Sequence, residues 1–220
     1  MRSLKDYNIL TEAKNTHMTH IEDLILDGGV KGARQAILAL RSLRDMLSGN
    51  AKAPVDVTVK WDGAPAVFAG EDPSDNQFFV AKKGIFAKNP KVYKSHADID
   101  ADTSGDLNKK LKLAFDNLKD LGIKGVIQGD FMFDKSDLKT ETINGVKHVT
   151  FHPNTIVYAI PSGSNLAKKI DKAKLGIVWH TSYSGGTFET MKAEFGRDIV
   201  NKLKSSPNVW MQDATLPDLS

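Results

Sequence analysis

Near residue 50 the apolar residues change their spacing. Before it, Ile21 to Leu26 and then Ala33, Ile37, Leu40, Leu43 and Leu47 recur at three and four positions, with Gly28-Gly29 between the two stretches. That spacing gives a helix one apolar side. After it, Val55, Val57 and Val59 alternate with Asp56, Thr58 and Lys60, and Ala66-Val67-Phe68 and Phe78-Phe79-Val80 follow on either side of the turn-rich stretch from Gly70 to Asn76. Alternation of this kind belongs to strands with one buried face.

The rest of the chain keeps switching between the two periods. Leu107, Leu111, Phe115, Leu118 and Leu121 predict a helix closed by Gly122. A strand is expected from Val126 through Phe131 and Phe133, with a hairpin at Asn144-Gly145 returning the chain through Val149 and Phe151. Thr155 to Ile160 reads as another strand, bounded by Pro153 and Pro161. Ser164 is placed to cap a short basic helix from Leu166 to Ala173, and Ile177 to Trp179 reads as a strand. Phe188, Met191, Phe195, Ile199 and Leu203 predict a last helix, followed by a polar tail from Ser205 to Ser220. The expected class is α+β with mixed or antiparallel sheets. Its expected divisions are a helical N-terminal cap (1–50), a core (51–185), and a C-terminal helix and tail (186–220).

Composition narrows the chemistry. Hydrophobic residues make up 40% of 220, enough for a core. No apolar run approaches the ~20 residues of a membrane span and no signal peptide is visible, so a cytoplasmic protein without a membrane partner is expected. Cysteine is absent, which removes disulfides, thiol nucleophiles and thiolate zinc sites and leaves catalysis to oxygen and nitrogen groups. The net charge of +3 is too small to indicate a nucleic-acid partner by itself. However, Lys82, Lys83, Lys88, Lys91 and Lys94 lie close together, with Phe86 and Tyr93 between them and no acidic residue. The group fits a polyanion-binding strand and loop, and equally a solvated lysine-rich surface.

The segment Val57-Thr58-Val59-Lys60-Trp61-Asp62-Gly63-Ala64-Pro65 puts a lysine at the end of an expected strand, just before a glycine turn. A lysine there can be partly desolvated, which favours the neutral amine as nucleophile. Asp62 could hold that amine or a sugar hydroxyl, and Gly63 would let the backbone approach a triphosphate. Four residues alone also fit a surface hairpin with Asp-Gly at its turn, and Trp61 fits either core packing or a stacking platform. His17 and His20 could share a helix face as metal ligands, although surface histidines fit as well. Ser182, Ser184 and Gly185-Gly186 read as a turn between strand and helix.

In the order of its motifs the chain resembles the covalent nucleotidyltransferases, the superfamily of ATP-dependent DNA ligases, RNA ligases and mRNA capping enzymes. Lys60-Trp61-Asp62-Gly63 resembles the K-x-D-G motif, whose lysine is the nucleophile. Ala81-Lys82-Lys83-Gly84 stands where Ser-Arg-x-Gly is expected, Gln128-Gly129-Asp130-Phe131 where Gly-Glu-Leu is expected, and Thr155 to Ile160 where a strand with an aromatic residue follows. The resemblance runs from about Val55 to Val178 and implies a ligase-type nucleotidyltransferase core. It implies Lys60 as the catalytic residue and Asp62, Gly63, Lys82, Lys83, Asp130 and Tyr158 as nucleotide-binding residues. Tyr158 would stack on adenine and Asp130 would contact Mg2+ or Mn2+ or the ribose. ATP is the implied nucleotide, and RNA or DNA ends, gripped by Lys88, Lys91 and Lys94, are the implied partner.

The chain departs from the pattern in three places. Pro65 replaces an arginine that some RNA ligases also lack. Leu175-Gly176-Ile177-Val178 lacks the carboxylate of the fourth motif, and the Lys-x-Lys of the fifth has no counterpart. A GTP-using capping-type transferase and a nucleic-acid-binding module that has lost catalysis are therefore the alternatives, and a further domain or partner protein is expected for strand joining. The whole chain also resembles proteins of T4-like tailed phages, which would place it in an infected host cell.

Overall fold

The computed structural model describes residues 21–50 and 59–215. Among them, β-strands and α-helices form two units divided at Val55/Asp56. The first unit holds α1 (Ile21–Leu47), which departs from helical geometry at Gly29, where the two apolar stretches part in the sequence. The expected strand residues 55–58, His17, His20 and residues 216–220 of the tail lie outside the described residues.

The second unit is built on a mixed six-stranded sheet. β1 (Ala66–Glu71) lies between β2 (Phe78–Ala81) and β3 (Val126–Asp134), and β3 pairs on its other side with β7 (Leu175–Ser184). The free edge of β7 is shared. Its first half pairs in parallel with β9 (Val209–Asp213) and its second half antiparallel with β8 (Lys192–Phe195). A second sheet of β4 (Lys139–Ile143), β5 (Val146–Phe151) and β6 (Tyr158–Pro161) is antiparallel throughout. The β4–β5 hairpin turns through Asn144 (φ 50°) and Gly145 (φ 78°), the left-handed pair that a tight hairpin requires.

Alternation sorts the large sheet into two faces. Val67, Ala69, Val80, Ile127, Phe131, Ile177 and Trp179 form one, packed with Leu111, Ala114 and Leu118 of α3 (Gly105–Leu118) and Ile99 of α2 (His96–Asp102). The opposite face carries two apolar clusters. Phe68, Phe79, Val126, Tyr183 and Met191 are at one end. At the other are Met132, Phe133, Val178 and Trp210, with Phe151, Tyr158 and Ile160 from the small sheet and Ile170 of α4 (Asn165–Lys172).

Three expectations are corrected. Residues 155–157 are not strand, because the Thr155 and Ile156 N–H groups point to the Asp62 carboxylate rather than to a ladder. Residues 188–203 do not form one helix. They give β8 and the short α5 (Ile199–Lys202), parted at Gly196, whose backbone lies so close to His180 and Thr181 that a Cβ would meet the His180 carbonyl carbon at 2.9 Å. The polar tail contains β9, whose Val209 and Trp210 are buried against the core.

Candidate functional site

The segment 59–65 belongs to no strand, and Lys60 is exposed rather than held in a buried strand end. The Val59 N–H donates to the Ala214 carbonyl beyond β9 (2.8 Å), and the Ala64 N–H donates to the Phe131 carbonyl on β3 (2.9 Å). The segment thus ties the end of β9 to β3. Between those ties Trp61, Asp62 and Gly63 each have a fastening of their own. Trp61 stacks on Tyr158 (5.3 Å between centroids) and meets Trp210 edge-on (6.4 Å). Gly63 sits directly on β3: a Cβ there would lie 2.5 Å from the Asp130 Cβ and 2.8 Å from the Met132 Sδ. No other residue type fits that contact.

Asp62 is the most heavily bonded residue of the segment. Its carboxylate accepts from Asn154 Nδ2 (2.8 Å), Thr155 N (2.6 Å), Thr155 Oγ1 and Ile156 N (2.9 Å). Its own N–H donates to the Tyr158 hydroxyl at 2.9 Å. The Thr155 hydroxyl above all, then the Asn154 amide and the Thr155 N–H, hold the carboxyl well below the usual carboxylate range. The expectation that Asp62 reaches an amine or a sugar is therefore corrected: its oxygens are occupied by the β5–β6 loop. Tyr158 is similarly committed, since Phe151 also stacks on it at 5.2 Å. Its ring is thus engaged in packing with Trp61 and Phe151.

Asp130 follows Gln128 and precedes Met132 on the face with two apolar clusters, so it lies between them. Val178 is opposite it on β7, and His180 further along that strand is the extra residue of a bulge: Gly129 pairs with Trp179 and Gln128 with Thr181, leaving His180 unpaired in the register. Bulges re-aim a side chain, and here the His180 Nε2 comes to 3.8 Å from the Asp130 Oδ1. The His180 Nδ1 contacts the Thr181 hydroxyl at 2.7 Å. The buried Tyr183 hydroxyl donates to Gln128 Oε1 at 2.6 Å, and burial pushes that phenol up to about 12. His180 is marked by no sequence motif, and Gln128 only precedes the Gly129-Asp130 pair of one. The only signal for His180 was a histidine shortly after Trp179, and the bulge that turns it toward Asp130 depends on pairing between distant strands.

The lysines divide. Lys82 has the parity of Val80, which faces α3, and it pairs with Asp102 of α2 at 2.9 Å. Asp130 is on the other face, so the nucleotide-binding role expected for Lys82 is corrected. Lys91 and the Tyr93 hydroxyl share the same Asp102, and those bonds hold its carboxyl well below the usual range. Lys94 bridges Asp72 and Asp75 at 2.7 Å each. Lys83 and Lys88 are exposed, and neither pairs with a carboxylate among the described residues. Ser182 and Ser184 lie on β7, and Gly185-Gly186 joins two strands instead of a strand and a helix.

Among the described residues no helix is long and apolar enough to cross a membrane, and no group of three or more His, Asp or Glu could hold a metal ion. The fold and site define an α+β protein whose mixed sheet carries a carboxylate and an imidazole on one face, with a lysine-bearing segment fastened beside them. Residues 15–220 match the Family of unknown function (DUF6267), and the chain belongs to that family. No curated protein and no solved structure matches it.

Proposed function

We propose that the chain is a ligase-like nucleotidyltransferase in which Lys60 becomes covalently linked to a nucleotide. One observation carries this reading: Gly63 rests on Asp130, which brings together the two motifs that the nucleotidyltransferase resemblance requires to share a site. In the step proposed, the neutral Lys60 amine attacks the α-phosphorus of ATP. An N–P bond forms, the bond to the β-phosphate oxygen breaks, pyrophosphate leaves, and the amine loses its proton to solvent. Asp130 is the carboxylate that would hold Mg2+ or Mn2+, with water and phosphate oxygens completing the shell. Such an ion would neutralise phosphate charge. RNA or DNA ends are the proposed acceptors of the nucleotide, with Lys83 and Lys88 left to meet phosphate.

A second reading is supported by a different observation. Lys82 is turned to Asp102 on the opposite face, and Leu175 to Val178 offers no carboxylate, so the chain would be a binding module of this fold without the covalent step. Incubation with ATP or GTP and labelled pyrophosphate separates the readings. Exchange of label into ATP, abolished by Lys60→Ala, supports the transferase. Exchange into GTP instead identifies a capping-type enzyme, and none with either nucleotide supports the module.

A further inference from the structure

We infer that Tyr158 is a positioning residue for Lys60: by holding the Asp62 N–H, its hydroxyl fixes the backbone two residues beyond the proposed nucleophile. The role of Lys60 rests on the functional proposal, which this inference deepens; the fastening does not. Tyr158 thereby takes a part different from the adenine contact that the resemblance implies.

Lys60 is exposed and lies in no strand, so its placement comes from the backbone that carries it. That backbone is tied near both ends, by the Val59 N–H to the Ala214 carbonyl and by the Ala64 N–H to the Phe131 carbonyl. Between those ties the Asp62 N–H donates to the Tyr158 hydroxyl at 2.9 Å. Trp61, Tyr158, Phe151 and Phe133 form a column of rings, with neighbouring centroids 5.3, 5.2 and 4.9 Å apart. The inner end of the column is in the core, since Phe133 and Phe151 are 0% and 3% exposed. Its outer end, Trp61, is the residue next to Lys60.

The ring and the hydroxyl of Tyr158 act differently. Stacked faces attract over a range of offsets, so they leave a ring some freedom to slide against its neighbour. A hydrogen bond has a narrow range of distance and angle, and the one to Asp62 therefore sets where the peptide after Trp61 lies. Asn154, Thr155 and Ile156 hold the other side of Asp62, its carboxylate. Lys60 then extends from a backbone fixed at Asp62. Attack on phosphorus requires the amine in line with the bond that breaks, and a displacement of about 1 Å can cost about 100-fold in rate.

Two measurements on the full chain test this: the rate of adduct formation at a series of ATP concentrations with MnCl2, and amide hydrogen exchange of residues 59–65 without nucleotide. Tyr158→Phe keeps the ring and removes the acceptor. It should lower the limiting rate about ten-fold while the half-saturating ATP concentration stays within about two-fold. Exchange of the Asp62 amide should become about ten-fold faster, with β5 and β7 exchanging as in the parent. A purely structural role would lower the melting temperature without this split between rate and affinity. An unchanged limiting rate in Tyr158→Phe, or a raised half-saturating concentration with the rate kept, overturns the inference, and so does unchanged exchange of the Asp62 amide. If the parent forms no adduct on Lys60, the functional proposal fails, and exchange of the Asp62 amide alone decides whether Tyr158 fixes this segment.

Discussion

Asp62 and Gly63 show how little of a residue's work is visible in a motif. Sequence spacing picked out both, but Asp62 works inward, accepting four donors from the β5–β6 loop. Those donors are separated from it by some ninety residues of chain, so no local pattern could have named them. The consequence is measurable. A carboxyl depressed in the folded state contributes stability that is complete above its unfolded value, near 3.9, and is lost as pH falls through the folded one. Asp62→Asn should therefore lower the melting temperature at pH 7, and the difference from the parent should shrink below about pH 4. A deficit independent of pH would remove the carboxylate from this role. Gly63→Ala forces a Cβ into the Asp130 and Met132 side chains and should cost about 1–3 kcal/mol by overpacking. Gly186→Ala, with nothing within 4 Å, should be nearly neutral in the same chemical denaturation series.

Elements with a self-contained signal were legible and those that depend on distant pairing were not. The helix α3 runs on into a 3-10 turn (Lys119–Leu121) that closes at the left-handed Gly122, the stop expected from the sequence, and the Ser164 hydroxyl accepts from the Ala167 N–H at 3.1 Å to begin α4. Ser164→Ala should lose about 1 kcal/mol, read from urea unfolding. By contrast, the apolar residues from Phe188 to Leu203 satisfy a helical period and still become β8 and α5, because the open edge of β7 offers hydrogen bonds that an isolated helix here cannot match. The partners of the lysine cluster were hidden for the same reason: Asp72, Asp75 and Asp102 lie outside the stretch that contains the lysines. If nucleic acid binds through Lys83 and Lys88, replacing those two by alanine should flatten the dependence of log affinity on log salt by up to about two units. Lys91→Ala should change it less. The reverse order would show that the Asp102 pair opens on binding.

At the scale of the molecule, the class and the sheet-forming core were readable from the change in period, but the closure of the sheet was not. β9 comes from what looks like a polar tail, yet Trp210 packs on Phe133 and Trp61 and so supports the Lys60 segment. A chain ending at Ser205 should lose both the sheet edge and that support, giving faster hydrogen exchange in β7 and in residues 59–65. Retained protection there would make β9 dispensable. The proposed transfer of a nucleotide to Lys60 is open to a single test, intact-mass measurement after incubation with ATP and Mn2+ or Mg2+, followed by peptide mapping. One AMP per chain, on Lys60 and absent in a folded Lys60→Ala variant, is the expected result; an unmodified chain, or an adduct that persists on another residue in Lys60→Ala, would overturn the proposal.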